Sequence, residues 1–225
     1  MGPGDGLPSF DLAMVNEDFT HFNLDAPEMM EWLQMVQDMV NVDQSIGKGE
    51  EQADFDWGSS GKLAIAHDAS WGIPNFRETW VDFDWDFVPP PKGTRHANIP
   101  GCDFHAVNGQ DYADHEGGWK LISFLNSESE DLWWAINMYG PPFRKQNVDK
   151  WVTEVSAGLP KNGWKYISEM TDAAAPWPVI PFYEELGVIH GNEISQIPTG
   201  ERTVEDVVTS IVTQVDAMMA EKRNA

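Results

Sequence analysis

Apolar and polar positions repeat with the period of a helix along much of the chain. Between Met29 and Val40, apolar side chains recur every three or four residues, which is the spacing of a helix with one buried face. Asp25 precedes this run, Pro27 falls in its first turn and Glu28 follows, so we predict that the helix begins here with Asp25 as its cap. The same periodicity predicts further helices at Gly118–Leu125, Ser127–Met138, Val148–Val155, Trp164–Met170 and Phe182–Ile189, and a last helix that begins near Glu201.

Other segments have the short apolar runs and the alternation that are typical of strands. Leu63–Ala66 is a continuous apolar run, which indicates a short buried strand. Val81–Val88 alternates aromatic and apolar side chains with acidic ones, as a half-exposed strand does. A further short strand is predicted at Asp103–Val107. Strands interspersed with helices predict a layered α/β or α+β domain.

A run of prolines interrupts the chain after the second predicted strand. Pro89, Pro90 and Pro91 hold the backbone in an extended path. Such a stiff segment suits a crossing between two lobes, and it suits a rigid surface loop equally well. The sequence alone leaves both interpretations open.

The charge of the chain excludes several classes of partner. The sequence carries 37 acidic and 14 basic residues, a formal net charge of −23. Phosphate groups would be repelled, so neither a nucleic acid nor an anionic membrane surface is expected as a partner. An acidic extracytoplasmic protein or a protein from a saline habitat would both have this composition.

Cysteine usage and hydropathy give further limits. Cys102 is the single cysteine of the sequence, so an internal disulfide is excluded. No window of about 18 or more apolar residues occurs, and we therefore predict no transmembrane helix and no direct membrane insertion. The first residues form neither a basic nor an apolar stretch, so we expect no signal peptide within this chain.

Tryptophan is unusually abundant, with 11 residues in 225, and one of them, Trp71, lies in a predicted turn. Trp71 follows Ser70 and precedes Gly72 and Pro74, a turn sequence in which a large ring is hard to bury. A flat aromatic face suits the apolar side of a pyranose ring, and a nearby carboxylate such as Asp68 can accept hydrogen bonds from hydroxyl groups. Burial of Trp71 in a core is the alternative.

Signals for catalysis are weak. The histidines have no metal-ligand spacing, and the sequence contains no phosphate loop, dinucleotide fingerprint or nucleophile elbow. Asp82, Asp84 and Asp86 would share one face of a strand, where they could form a glycosidase carboxylate group or, more simply, a solvated face. We therefore predict a protein that is not an enzyme and that needs no cofactor or metal.

Five motifs in fixed order resemble a known family. They are GKLAIAHDASW, FDWDFVPPPKG, GCDFHAVNG, GGWKLISFLNS and GPPFRK. Together they resemble the C-terminal half of the extracellular solute-binding proteins, family 1, which serve carbohydrate ABC importers. The resemblance implies an α/β, periplasmic-binding-protein-like (type II) two-lobed fold, here a partial fold that lacks most of the first lobe. It assigns residues 1–88 to the second lobe, 89–130 to a crossing segment with part of the first lobe, and 131–225 to a C-terminal helical portion that returns to the second lobe.

The resemblance also implies which residues would bind the sugar. Trp71 would stack on a sugar ring with Asp68 beside it, and Trp177, held between prolines, would offer a second stacking surface. Asp103 and Arg144 would bind hydroxyl groups. Asp103 could instead stabilise its own turn, and Arg144 could pair with one of the many carboxylates.

The function implied by the resemblance is the capture of a mono- or oligosaccharide between two lobes and its delivery to ABC permease subunits. The expected location is periplasmic or extracellular, with association to the membrane through the transporter. Because no signal peptide is expected within the chain, the resemblance implies a fragment or truncated form, which should expose an apolar face. A secreted stand-alone carbohydrate-binding or carbohydrate-active module is the alternative function.

Overall fold

The computed structural model describes residues 7–47, 63–97, 101, 105–110, 114–138, 140–155, 157–158, 160–175, 180 and 182–224. Helices account for most of their regular structure. They are α1 (Pro27–Asn41), α2 (Ile73–Thr79), α3 (His115–Leu125), α4 (Glu128–Asn137), α5 (Val148–Val155), α6 (Gly163–Asp172), α7 (Tyr183–Ile194), α8 (Gln196–Thr199) and α9 (Val204–Asn224). Short 3-10 turns lie at Leu7–Phe10, Asn23–Asp25, Ser70–Gly72 and Lys145–Asn147.

The helices predicted from the apolar periodicity are confirmed, and α5 has the predicted bounds on both sides. The predicted cap of α1 is wrong. Ala26 occupies the cap position and makes no side-chain capping bond. Asp25 ends the preceding 3-10 turn, and its carboxylate lies 3.0 Å from Nε2 of His21. Pro27, which needs no partner for a backbone N–H, begins the helix as predicted.

The predicted strands are not observed in the described residues, so the α/β class is not confirmed. An isolated antiparallel bridge joins Val15 to Phe22. The prediction of a buried strand at Leu63–Ala66 is wrong, because Ile65 is 84% exposed. In Val81–Val88 the predicted alternation persists, with the aromatic side chains partly buried and the aspartates exposed, but the segment has no partner strand among the described residues. Of Asp103–Val107, the first two residues lie outside the described part, and the remainder is not a strand.

The chain divides into two compact units. The first contains Met1–Phe55, Pro91–Pro100 and Ala173–Ala225, and the second contains Asp56–Pro90 and Gly101–Asp172. One change of unit therefore falls within the proline run, where the sequence suggested a crossing. The assignment of 1–88, 89–130 and 131–225 to lobes follows a different division and stays a prediction.

The first unit is built around α9. Its residues Val204, Val207, Val208, Ile211, Val215 and Met219 form a buried stripe at helical spacing. Met29 and Leu33 of α1 belong to the same core. The side-chain amide of Gln37 donates to the carbonyls of Ile197 and Arg202, each at 2.9 Å, which satisfies two carbonyls near the start of α9. Burial of the stripe and these polar links hold the helices in place.

The second unit has a smaller core. Ile73, Ala135, Trp151 and Val155 are buried in it. The indole N–H of Trp151 donates to the carbonyl of Ala135 at 3.0 Å, so the largest side chain of this core also fixes the position of α5 against α4. The unit presents both the Trp71 turn and the Arg144 loop.

Candidate functional site

The Trp71 ring is displayed on a tight turn. The 3-10 turn Ser70–Gly72 leads directly into α2, and the N–H of Gly72 donates to the carbonyl of Ala69 at 3.0 Å. Gly72 and Ile73 are buried, whereas the ring of Trp71 is 66% exposed. The chain is thus anchored immediately after the ring, and the ring itself faces solvent. Core burial, the alternative from the sequence, does not occur.

Gly72 allows the turn to pack closely on its neighbours. A Cβ atom at this position would lie 2.9 Å from the ring of Phe76 and 3.2 Å from the carboxyl carbon of Asp68. Because only glycine leaves this space free, the turn can sit directly on the Phe76 ring with the Asp68 carboxylate against it. The Asp68 carboxylate therefore lies against the turn that carries Trp71, and the role of both residues in sugar binding stays a prediction.

The Asp68 carboxylate is exposed and partly oriented. One of its oxygens accepts a hydrogen bond of 2.7 Å from the backbone N–H of Ala69. This bond fixes the carboxylate beside the turn while its other lone pairs face solvent, where a hydroxyl group can reach them. The same short segment therefore carries an exposed aromatic ring and an oriented acceptor.

An aromatic cluster supports this turn, and sequence reasoning did not identify it. Phe76 stacks on Trp80 with ring centroids 4.2 Å apart. Trp85 meets both rings edge to face, at 5.9 Å from Phe76 and 5.7 Å from Trp80. Such contacts stabilise the cluster beyond simple burial. The signal in the sequence was the alternation in Val81–Val88, which directs Trp85 inward against α2.

Arg144 is held by two groups of the second unit. Its guanidinium donates from Nε and Nη2 to the carbonyl of Asn126, at 3.2 and 2.5 Å. Its backbone N–H donates to the buried carboxylate of Asp131 at 3.3 Å. The side chain thereby satisfies a carbonyl at the end of α3. Among the described residues, no hydrogen bond, ion pair or ring contact joins Arg144 to the Trp71 turn.

Two other predicted ligand-binding residues, Asp103 and Trp177, lie outside the described residues. Two of the three aspartates of the predicted strand face, Asp84 and Asp86, contact residues that lie before α6. Asp84 lies 3.6 Å from the amine of Lys161. Asp86 accepts bonds from the backbone and the side-chain amide of Asn162, at 3.0 and 2.6 Å. They tie this segment to the residues before α6.

Among the described residues, the ionisable groups with shifted pKa values lie in the first unit. The pKa of His21 is raised, chiefly by its hydrogen bond to Asp216 and further by Asp25. The pKa of Glu193 is lowered by hydrogen bonds from Ser210 and Arg202. The described residues contain no group of three side chains suited to hold a metal ion, and none of their helices is long and apolar enough to cross a membrane.

The chain is similar in fold to solved sugar-binding proteins. An ABC substrate-binding protein from Listeria monocytogenes, in complex with cycloalternan, gives a TM-score of 0.74 at 17% identity, over 95% of this chain and 55% of that protein. An ABC transporter solute-binding protein from Thermotoga lettingae, bound with alpha-D-tagatose, gives 0.73 at 17% identity, over 97% and 56%. A maltose/maltodextrin-binding domain from Bdellovibrio bacteriovorus, bound to maltotriose, gives 0.71 at 17% identity, over 95% and 56%. No family model matches the sequence, and no curated protein matches it closely enough to count as a relative.

These similarities establish the fold. The resemblance stated from the motifs is confirmed at that level, since the structural neighbours are ABC sugar-binding proteins. The neighbours are binding proteins rather than enzymes. The chain spans little more than half the length of the first of them, about 55%, and so corresponds to part of their fold.

Proposed function

We propose that the chain is part of the substrate-binding component of an ABC importer, which captures a sugar or oligosaccharide between two lobes and delivers it to the permease. The observation that carries this proposal is the exposed Trp71 ring, on a turn against which the Asp68 carboxylate lies, in a chain whose fold matches sugar-binding proteins. Fold alone does not define a ligand, and the chemistry of this turn supplies the reason to expect a saccharide.

In the proposed mechanism, Trp71 and Asp68 contact different parts of the same sugar. The indole face covers the C–H side of the pyranose, and removal of water from both apolar surfaces favours the contact. The carboxylate accepts a hydrogen bond from a hydroxyl group at the ring edge, which fixes the orientation of the sugar. Neither residue needs to move, because the turn is anchored by Gly72 and Ile73.

The other sugar contacts in the proposal are Asp103, Trp177 and Arg144. Arg144 would act from its present position, with the guanidinium held on the carbonyl of Asn126. That bond occupies Nε and Nη2 and leaves Nη1 as the group directed to a sugar oxygen.

Closure of the two lobes around the sugar would stabilise the state that the permease binds. A sugar that touches both lobes shifts the equilibrium toward closure by its extra affinity for the closed form. The proposed location is periplasmic or extracellular, as expected for a receptor that loads an importer. The similarity to binding proteins favours this function over a stand-alone carbohydrate-binding or carbohydrate-active module.

Calorimetry of the complete protein tests the proposal. Its reading frame is first established from the DNA upstream of the first codon of this chain. Maltotriose, cycloalternan and tagatose are then titrated into the complete protein and into the 225-residue chain alone. We expect the complete protein to bind a saccharide and to become more compact by small-angle scattering, and the chain alone to bind it weakly or not at all. Micromolar binding by the chain alone as a monomer would favour the stand-alone module, and turnover of a glycoside would show an enzyme.

A further inference from the structure

The dipeptide Asn-Gly occurs at two places in the second unit, as Asn108 with Gly109 and as Asn162 with Gly163. In this dipeptide the side-chain amide of the asparagine is open to attack by the backbone nitrogen of the glycine, because glycine has no Cβ to hinder the approach. The two pairs have the same chemistry, but the structure gives them different surroundings. Their reactivity should therefore differ.

The first pair is exposed and little constrained. Asn108, Gly109 and Gln110 are all exposed, and a Cβ atom at Gly109 would meet no atom within 4 Å. Within the part of the chain that the structure describes, no residue accepts a hydrogen bond from the N–H of Gly109. The side-chain oxygen of Asn108 accepts the backbone N–H of Gln110 at 3.0 Å. This bond polarises the side-chain carbonyl and leaves the amide nitrogen out of the contact.

The second pair is held in place by its neighbours. The side-chain amide of Asn162 donates to the carboxylate of Asp86 at 2.6 Å, and the backbone N–H donates to the same carboxylate at 3.0 Å. The carbonyl of Asn162 accepts two N–H groups from the first turn of α6, at 3.0 and 3.2 Å. Gly163 is buried, and a Cβ atom there would overlap the ring of Pro160. Attack by the nitrogen of Gly163 requires the backbone of Asn162 to rotate, which would break these bonds.

We propose that Asn108 is a site of spontaneous deamidation and that Asn162 is protected from the same reaction. The nitrogen of Gly109 loses its proton to the solvent and attacks the side-chain carbonyl carbon of Asn108. The new C–N bond closes a succinimide ring, and the bond to the amide nitrogen breaks, so that ammonia leaves with a proton from the solvent. Water then opens the ring at either carbonyl and yields aspartate or isoaspartate. Water is the sole co-reactant, and no electrons are transferred.

The modified segment precedes the start of α3. Val107 packs on this helix, because a Cβ atom at Gly118 would lie 3.1 and 3.3 Å from its γ carbons. The helix is capped by Asp114, whose carboxylate accepts the N–H of Gly117 at 2.8 Å. Deamidation adds a negative charge between Val107 and this cap along the chain. Isoaspartate also adds a carbon atom to the backbone, so the segment changes its path next to a packed residue.

Peptide mass spectrometry of the folded chain, incubated at pH 8.5, measures both sites in one sample. Trypsin releases them on separate peptides, residues 96–120 and 162–165, and fragmentation assigns the change within the first. Samples digested before the incubation correct for reaction during digestion. We expect Asn108 to deamidate at least about tenfold faster than Asn162 in the folded chain. In urea, where the contacts of Asn162 are lost, the two sites should react at similar rates.

Three variants test the contribution of the surroundings. Gly109→Ala adds a methyl group where the structure has space, and it should slow the reaction at Asn108 by about tenfold or more without unfolding the chain. Gly101→Ala is the matched control, because a Cβ atom at Gly101 also meets nothing within 4 Å. Asp86→Ala removes the acceptor that holds Asn162 and should accelerate the reaction there, with circular dichroism as the check that the helices remain.

Several results would overturn the proposal. They are equal rates at the two sites in the folded chain, a faster reaction at Asn162, or no reaction at Asn108 under conditions in which the chain in urea reacts. A Gly109→Ala variant that reacts as fast as the Gly101→Ala control would exclude attack by the nitrogen of Gly109. An unchanged rate at Asn162 in a folded Asp86→Ala variant would show that Asp86 gives no protection.

Discussion

The side-chain amide of Asn147 donates a 2.8 Å hydrogen bond to the carboxylate of Asp131, and both side chains are buried. The same carboxylate accepts the backbone N–H groups of Phe143 and Arg144, at 3.0 and 3.3 Å. Asn147 also donates to the carbonyl of Glu128, at 2.8 Å. One buried acid therefore fixes the loop that carries Arg144 to the start of α4.

Replacing Asp131 with asparagine should destabilise the protein. The amide would present an N–H₂ group to one of the three donors that now share the carboxylate, and a buried donor would lose its acceptor. We expect a loss of about 1 to 3 kcal/mol in the free energy of unfolding, measured with urea. The control is Asp172→Asn, at an exposed acid at the end of α6, which should change the stability little. Equal effects of the two substitutions would show that the Asp131 contacts contribute nothing.

Trp71→Ala should weaken sugar binding by the complete protein without lowering stability. The ring is mostly exposed, so its removal leaves no cavity. Loss of stacking should cost about 1 to 2 kcal/mol, roughly a tenfold change in Kd. Trp71→Phe retains an aromatic face and should restore most of the affinity in calorimetry. Unchanged affinity in the alanine variant would remove Trp71 from the site.

Replacement by alanine should lower the stability of the protein at one glycine, Gly72, and raise it at another, Gly191. In Gly72→Ala the added methyl would lie 2.9 Å from the Phe76 ring, and the buried turn must shift, which we expect to cost about 1 to 3 kcal/mol. At Gly191, within α7, a Cβ meets nothing within 4 Å. Gly191→Ala should therefore stabilise the helix by about 0.5 to 1 kcal/mol. Thermal unfolding of both variants measures the difference, and a neutral Gly72→Ala would mean that the turn is less tightly packed.

The stability of the first unit should depend on the charge of His21. Asp216, then Asp25, raises the pKa of this imidazole in the folded protein. The stabilisation is thus complete below the unfolded pKa of about 6.5 and is lost as the pH rises through the higher folded value. Unfolding measured from pH 6 to 8.5 should show the unaltered protein losing its advantage over His21→Gln. His115→Gln, at an exposed histidine of α3, is the control and should retain the pH dependence of the unaltered protein.

What the sequence predicted well is local. The bounds of α5 follow from a spacing that its own residues define, and Pro27 starts α1 wherever the rest of the chain lies. The inward and outward directions in Val81–Val88 were also predicted, because they depend on a simple alternation. The prediction that this segment is a strand was not confirmed, since a strand requires a partner that its own sequence does not specify.

What the sequence could not predict depends on distant residues. Asp131 reads as one more acid in the first turn of a helix, and its burial depends on a loop that follows more than ten positions later. Arg144 was assigned to a ligand from its position in a motif, and its contact with Asn126 becomes visible only when α3 and the loop are placed together. The exposure of Trp71 was the favoured of two predictions, because the turn residues around it make a large ring hard to bury.

The first unit is assembled from both ends of the chain. Its core joins Met29 and Leu33 of α1 to the stripe of α9, so a helix synthesised much later completes the core that α1 begins. Contacts between such distant segments slow folding, because a long loop must close before they form. During synthesis the apolar face of α1 stays uncovered until α9 has been made. A nascent chain stopped before Val204 would therefore expose that face to chaperones and proteases. Quality control in the cell should therefore discriminate sharply against products shortened at the carboxyl end.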